Sequence, residues 1–259
     1  MTTPIPVPTA TGARGAMTLA TRLAGRAPTA DSAKGTLTTV AGGAWTPASI
    51  AGLVAWYDAS NAASITASAG NVSQWNTLGG SAAGAHLVQA TSTNQPKTGT
   101  RTINAKNVID CDGSNDWMAV TFTTIAQPYT VLMVVVSDSA SAGTFHDSND
   151  AASRGQDFIS SSQLALYAGS VVNSGHAMGT VAFQFVSVFN GASSVAYKNG
   201  TAGSTVNPGA QTLHGLTIGA DSSRAGPLDG AYGEIVIVSG VIPSGDRTSW
   251  NTYCARWGL

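Results

Sequence analysis

The sequence predicts an all-β sandwich preceded by an extended N-terminal arm and closed by one α-helix, and three observations carry that prediction. From Gly52 onward, short strand-like runs alternate with turns rich in Gly, Asn and Asp. One run, "YTVLMVVVS" (129–137), is apolar on both alternating faces, so it reads as a central strand covered on both sides. The last seventeen residues, "PSGDRTSWNTYCARWGL", change period: Trp250, Tyr253, Cys254 and Trp257 fall at i, i+3, i+4 and i+7.

The arm comes first. Residues 1–48 carry alternating Pro4, Pro6 and Pro8, which favour an extended polyproline-like segment. "AMTLATRLAG" (16–25) is compatible with a short helix, because Met17, Leu19 and Leu23 lie on one side. The remainder has too few large apolar residues to fold alone. Two readings stand for it: a floppy tail, or an arm that orders against a partner.

The body follows as "GLVAWYDA" (52–59), "VSQWN" (72–76), "HLVQA" (86–90), "NVIDC" (107–111) and "DWMAVTF" (116–122). After the central strand come "FQFVSVFNG" (183–191), "SVAYKNG" (194–200), "LTIGA" (216–220) and "YGEIVIVSG" (232–240). Many short strands between turn formers argue for a sandwich. In the C-terminal helix Ser244 is the expected cap and Gly258 the stop, and the aromatic stripe is expected to pack on the sandwich.

Composition narrows the function classes. Twelve basic and thirteen acidic residues give a net charge of -1, so nothing attracts nucleic acid or anionic lipid non-specifically. No run of eighteen apolar residues suggests a membrane span, and the N-terminal arginines Arg14, Arg22 and Arg26 are not followed by the apolar core of a signal peptide. Such a chain is expected to assemble inside a cell and leave it by lysis. Cys111 and Cys254 read as two buried thiols rather than a disulfide. Glu234 is the single glutamate, which constrains acid–base chemistry.

Together, "SIAGLVAWYDASNAASIT", "VSQWNTLGGSAAGAHLVQATSTNQPKTG" and "NVIDCDGSNDWMAV" resemble the start of laminin-G-like, concanavalin A-like domains of phage virion proteins. "LALYAGS" and "FVSVFNGASSVAYKNGTAGS" resemble that family's paired central strands, and "LDGAYGEIVIVSGVIPSGDRTSWNTYCARWGL" its last strand and terminal helix. The resemblance spans residues 49–259 and leaves the arm uncovered. It implies a concanavalin A-like jelly-roll sandwich and a virion location, commonly in tail or fibre parts meeting the cell surface. It does not specify the ligand.

"DCDGSNDWM" (110–118) has the look of a calcium loop, but an EF-hand loop beginning at Asp110 would need Gly where Asn115 stands and Glu where Thr121 stands. It reads as a turn from Asp112 to Asp116. A second cluster, "HDSNDAASRGQD" (146–157), holds His146, Asp147, Asn149, Asp150 and Asp157, with Asp221 and Arg224 of "GADSSRAG" expected nearby. It reads as solvated loops, with calcium at Asp147, Asn149 and Asp150 as the alternative.

Catalytic patterns are weak. Glycoside hydrolases need two opposed carboxyl groups, and Glu234 has none at i±2 or i±4. Nucleophile-elbow and HExxH motifs are missing, and His86, His146, His176 and His214 read as surface or strand-edge residues. The expectation is therefore no enzyme. Sugar binding needs an aromatic platform with polar partners; the candidates are Tyr167 with Asp147, Asn149, Asp150 and Arg154, joined by Asp221 and Arg224. Trp75 and Trp117 are further platforms, each expected in the core. The resulting expectation is a virion protein anchored on other virion proteins through residues 1–48, displaying a host-glycan-binding domain as a homo-oligomer, with a trimer preferred. It needs no cofactor beyond possible calcium. The alternative is a decoration protein that contacts only virion proteins.

Overall fold

The computed structural model describes residues 44–259, together with Ala30–Asp31 and Thr36–Leu37. The proline-rich start and the helix expected over 16–25 lie outside the described residues. The chain divides into two compact units, Met1–Ala44 and Trp45–Leu259. In the first, Ala30–Asp31 pairs antiparallel with Thr36–Leu37.

The second unit contains seventeen strands. In order they are β1 (Leu53–Asp58), β2 (Ile65–Ser68), β3 (Asn71–Trp75), β4 (Leu87–Val88), β5 (Lys97–Ile103) and β6 (Lys106–Asp112). Next come β7 (Met118–Val120), β8 (Tyr129–Ser137), β9 (Thr144–Asp147), β10 (Gln156–Ser160), β11 (Gln163–Tyr167) and β12 (Val171–Ala177). The last are β13 (Phe183–Phe189), β14 (Ser194–Lys198), β15 (Thr201–Val206), β16 (Leu216–Ile218) and β17 (Asp229–Ser239).

Their pairings resolve into two antiparallel layers. The first runs β15-β14-β13-β8-β17, and β17 is long enough to pair with β6 along its first half and β1 along its second; β5 pairs with β6 beyond it. The second runs β2-β3-β4-β7-β16-β9-β10-β11-β12. A single pair, Asn71 with Lys97, joins the layers at one edge. This is the predicted concanavalin A-like jelly-roll sandwich. The strands "LALY" and "FVSVF", expected to be paired, instead fall in opposite layers as β11 and β13.

The central strand behaves as its sequence predicts. Tyr129, Val131, Met133 and Val135 of β8 enter the core between the layers, with Phe185, Leu166 and Trp75. Leu132, Val134 and Val136 face the other way and join Trp250, Cys254 and Trp257. Each such side chain contributes on the order of 1.5–3 kcal/mol when fully buried, so a two-sided strand anchors both cores. Asn199 and Gly200, with φ of 48° and 80°, make the two-residue turn between β14 and β15 that an Asn-Gly pair favours.

The C-terminal helix α1 (Ser244–Tyr253) continues as a tighter turn, Cys254–Trp257, and stops at Gly258 in the left-handed region. It packs on the outer face of the first layer, as the aromatic stripe predicts. The expected Ser244 cap is corrected: Pro243 holds the cap position and no side chain caps the helix. Pro243 supplies a fixed φ there and has no N–H to satisfy. Trp45 lies against this helix, edge-on to Tyr253 at 5.7 Å, with its indole N–H 3.4 Å from Asp246. Trp45 thus lies on the outer face of the first layer.

Candidate functional site

The expected turn at Asp112–Asp116 is observed. Asp112 Oδ1 accepts the N–H groups of Ser114 and Asn115, Gly113 takes φ 74°, and Asp116 turns back to accept the N–H of Asp112. Burial, then repulsion from Asp112, pushes the Asp116 carboxyl up to about 6. Cys111 and Cys254 are both buried free thiols.

The expected site residues lie on the outer face of the second layer, away from the C-terminal helix. A register shift between Thr144 and His146 lets both Phe145 and His146 point inward and turns Asp147 outward. Cross-strand pairing then aligns Val88, Ala119, Thr217 and Asp147 in one row across β4, β7, β16 and β9. Gln156, Tyr167 and Val171 form a second row across β10, β11 and β12.

Asp147 is fully buried and saturated. Its Oδ1 accepts the Ser148 N–H at 2.8 Å, and its Oδ2 accepts Arg154 Nε at 2.8 Å and the Ser222 N–H at 2.9 Å. Arg154 also reaches Gln156 at 3.0 Å and Asp221 at 3.5 Å, and its guanidinium lies 5.1 Å from the Tyr167 ring centre. Burial opposes the charge on Arg154, but the hydrogen bond and charge of Asp147 outweigh it and raise its pKa. Burial likewise opposes charge on Asp221, yet hydrogen bonds from Ser223 and Ala225, with the charge of Arg154, draw its pKa down.

The second arginine is held differently. Arg224 adopts φ 69°, a left-handed conformation that costs a non-glycine residue on the order of 1 kcal/mol. Asp221 secures the turn by accepting the Ser223 and Ala225 N–H groups. The guanidinium of Arg224 then lies 4.0 Å from the Trp117 ring centre and donates to Asn149 Oδ1 at 2.9 Å and Thr217 Oγ1 at 3.0 Å. Trp117 is thus half-exposed on the outer face rather than in the core, whereas Trp75 is fully buried. Arg224, Trp117, Asn149, His86 and Val88 line an open cleft of about 510 Å³.

Of the predicted set, Asp147, Arg154, Asp221 and Tyr167 form one cluster and Asn149 with Arg224 an adjoining one. Asp150 joins neither: its side chain accepts the Ala152 N–H and closes its own turn. The oxygens considered for calcium at Asp147 and Asn149 are occupied by arginine donors. Among the described residues no group of three His, Cys, Asp or Glu stands ready to hold a metal ion.

Two arrangements escaped the sequence reading. His146, expected at the surface, is wholly buried; its Nε2 lies 2.8 Å from Asp157 Oδ2, and Asp157 Oδ1 accepts the Ser187 hydroxyl at 2.9 Å. The serine points at the aspartate, not at the imidazole, so this is not a nucleophile–base pair. On the first layer, Asp58 lies directly opposite Glu234 across β1 and β17. Arg256 Nη2 bridges them, at 2.7 Å from Asp58 and 3.0 Å from Glu234. The missing second carboxylate is therefore present, supplied by a neighbouring strand.

No protein family and no curated protein sequence matches this chain. Solved structures do share its fold. Domain 4 of a GH43 extracellular arabinanase from Geobacillus stearothermophilus, in complex with arabinotriose, is 12% identical with a TM-score of 0.55, covering 77% of this chain and 98% of that one. A Trypanosoma rangeli sialidase in complex with the inhibitor DANA is 13% identical with a TM-score of 0.52, over 78% of this chain and 33% of the sialidase. An arabinofuranosidase complexed with arabinofuranosyl-alpha-1,2-xylobiose is 14% identical with a TM-score of 0.51, over 72% of this chain and 50% of that one. The chain thus spans a third to a half of the latter two. At such identities the likeness is one of fold. The expectation that the chain is no enzyme is corrected: its sandwich is one that occurs within glycan-processing enzymes, and Glu234 does have a carboxylate beside it. No helix among the described residues is long and apolar enough to cross a membrane.

Proposed function

We propose that this chain is a glycan-binding domain whose sugar contacts lie on the outer face of the second layer. The observation that carries the reading is the pair of arginine–aromatic units there, Arg154 with Tyr167 and Arg224 with Trp117, set beside an open cleft. Sugar sites combine an apolar ring face with fixed donors and acceptors, and the ion pair of Arg154 with Asp147 holds this surface in place before any ligand arrives. The sandwich shared with sugar-active enzyme domains supports the reading.

The finer reading is a phage virion protein, anchored through residues 1–48 on other virion proteins and displaying the sandwich toward host surface glycan. Its sequence resemblance supports this. A homo-oligomer, a trimer by analogy with fibres, would multiply weak sugar contacts into firm attachment. The test is sedimentation of the labelled full chain with host cells, with and without wall-derived saccharides as competitors. Saturable binding displaced by free sugar, and weakened in both Tyr167→Ala and Trp117→Ala, is expected. Binding unaffected by either substitution would move the site elsewhere, and no binding at all would favour the decoration reading.

A further inference from the structure

We propose that the Arg224–Trp117 cleft reads a carboxylate, so that the glycan it takes is an acidic one, a sugar bearing a carboxyl group on its ring. The inference rests on the glycan-binding reading above and assigns the ligand's charge class.

Arg154 and Arg224 stand on the same face but differ in one respect. Arg154 is neutralised by Asp147 and Asp221. Arg224 has no carboxylate within ion-pair distance among the described residues, a feature it shares with Arg247 on the helix, stacked on Tyr197, whereas Arg101, Arg154 and Arg256 each have one. Its partners are neutral: the Asn149 amide oxygen, the Thr217 hydroxyl and the backbone carbonyl of Asp221. Three of its five N–H donors are so used. The Nε–H and one N–H of Nη2 find no protein acceptor among the described residues.

The nearby acids do not cancel this charge. Asp147 and Asp221 already face Arg154, and Asp150 is turned into its own loop. Burial lowers the pKa of Arg224 from its ordinary value against the more distant charges of Asp221 and Asp147, so a counter-ion in direct contact would offset the remaining cost. A planar guanidinium with donors on Nε and Nη2 suits the two oxygens of a carboxylate. Val88, 47% exposed, and Trp117 line the same cleft and offer an apolar wall for the C–H face of a sugar ring. His86, on the same cleft, adds a second nitrogen donor.

The experiment titrates the full chain, by calorimetry at low and high salt, with a galacturonate trisaccharide and with the matched galactose trisaccharide, which differs only in lacking the acids. Binding of the acidic sugar at least about tenfold tighter than the neutral one, and weakened by salt, is expected. Arg224→Gln should abolish that preference, so that the acidic and neutral sugars bind this variant equally. Arg224→Lys, which keeps the charge but not the fork, should restore only part of it. Melting curves confirm that each variant is folded. If the two sugars bind equally, or if Arg224→Gln keeps the acidic preference, the inference is overturned while the glycan-binding reading stands. If neither sugar binds but neutral wall saccharides do, the acidic assignment also fails alone. If no saccharide binds, both readings fall.

Discussion

The carboxylate of Glu234 accepts the indole N–H of Trp257 at 2.9 Å, across the seam between β17 and the C-terminal segment. Three more donors converge on it: Trp56 Nε1 at 2.7 Å, the Tyr253 hydroxyl at 3.0 Å and Arg256 Nη2 at 3.0 Å. The single glutamate of the chain is thus the polar pin that seats the last turn on the first layer.

Glu234→Gln should loosen that seat. An amide nitrogen would face N–H donors where an oxygen now accepts them, and Arg256 would lose one of its two carboxylates. Arg256 keeps Asp58 at 2.7 Å, so no charge is stranded, and the lost hydrogen bonds cost about 1–2 kcal/mol. A lowered melting temperature is expected, together with increased hydrogen exchange in the indoles of Trp56 and Trp257. An unchanged melting temperature would sink the pin.

Stability should fall as the pH rises from about 5 to 8. Burial pushes Glu234 up to about 7, against the pull of Arg256 and with help from the charge of Asp58; Asp116 stands at about 6. Both folded values exceed the unfolded ones, so the native state holds more protons through this range, and linkage makes its advantage shrink as those protons leave. Asp221 works in the opposite sense: its lowered pKa gives stability that is present at neutral pH and lost in acid. Melting temperatures measured across pH should therefore peak on the mildly acidic side, and Glu234→Gln should flatten the decline above it.

Arg154→Ala leaves Asp147 buried with no counter-ion. Its side chain is fully enclosed while that of Arg154 is 24% exposed, so the cost falls on the aspartate. A loss of about 3 kcal/mol is expected from denaturant unfolding, and the Asp147→Asn, Arg154→Ala double variant should recover part of it. No recovery would mean that the arginine acts by packing on Tyr167 alone.

A chelator should leave the melting midpoint unchanged. The Asp147 and Asn149 oxygens that a calcium ion would need are engaged by Arg154 and Arg224, and a ligand stabilises only what it binds. A midpoint that drops with chelator and returns with calcium would show that the ion displaces those arginines.

Much of the fold is legible in the sequence. β8 shows itself because nine consecutive residues are suited to burial on both faces, and β17 because of its apolar run. Six strands are unmarked in the sequence: β2, β5, β12 and β15 are largely exposed segments of Lys, Thr, Ser, Ala and Gly, while β9 and β10 are mostly buried but carry polar residues in or beside the 146–157 stretch read as solvated loops. Their backbone pairing is dictated by neighbours, so no hydrophobic period marks them. In the site, six of seven predicted residues come together, because loops that follow adjacent strands of one layer end at the same edge. Asp150 does not, since an aspartate two residues before a free N–H closes its own turn. Trp117 was expected in the core because tryptophan usually is, and no local pattern told to which side the residue before β7 would turn.

Features set by residues close together along the chain were readable without coordinates: the two-sided central strand, the turn at Asp112–Asp116 and the aromatic stripe of the terminal helix. These depend on residues near one another along the chain, where steric preference and alternation act directly. Contacts between distant segments were not readable: Asp58 meeting Glu234, His146 buried on Asp157, and Arg154 paired with a carboxylate where Arg224 has none. Those outcomes depend on strand register and on one bulge between Thr144 and His146. A shift of a single residue there would exchange the inner and outer faces, and with them which charges are buried and which face the cleft.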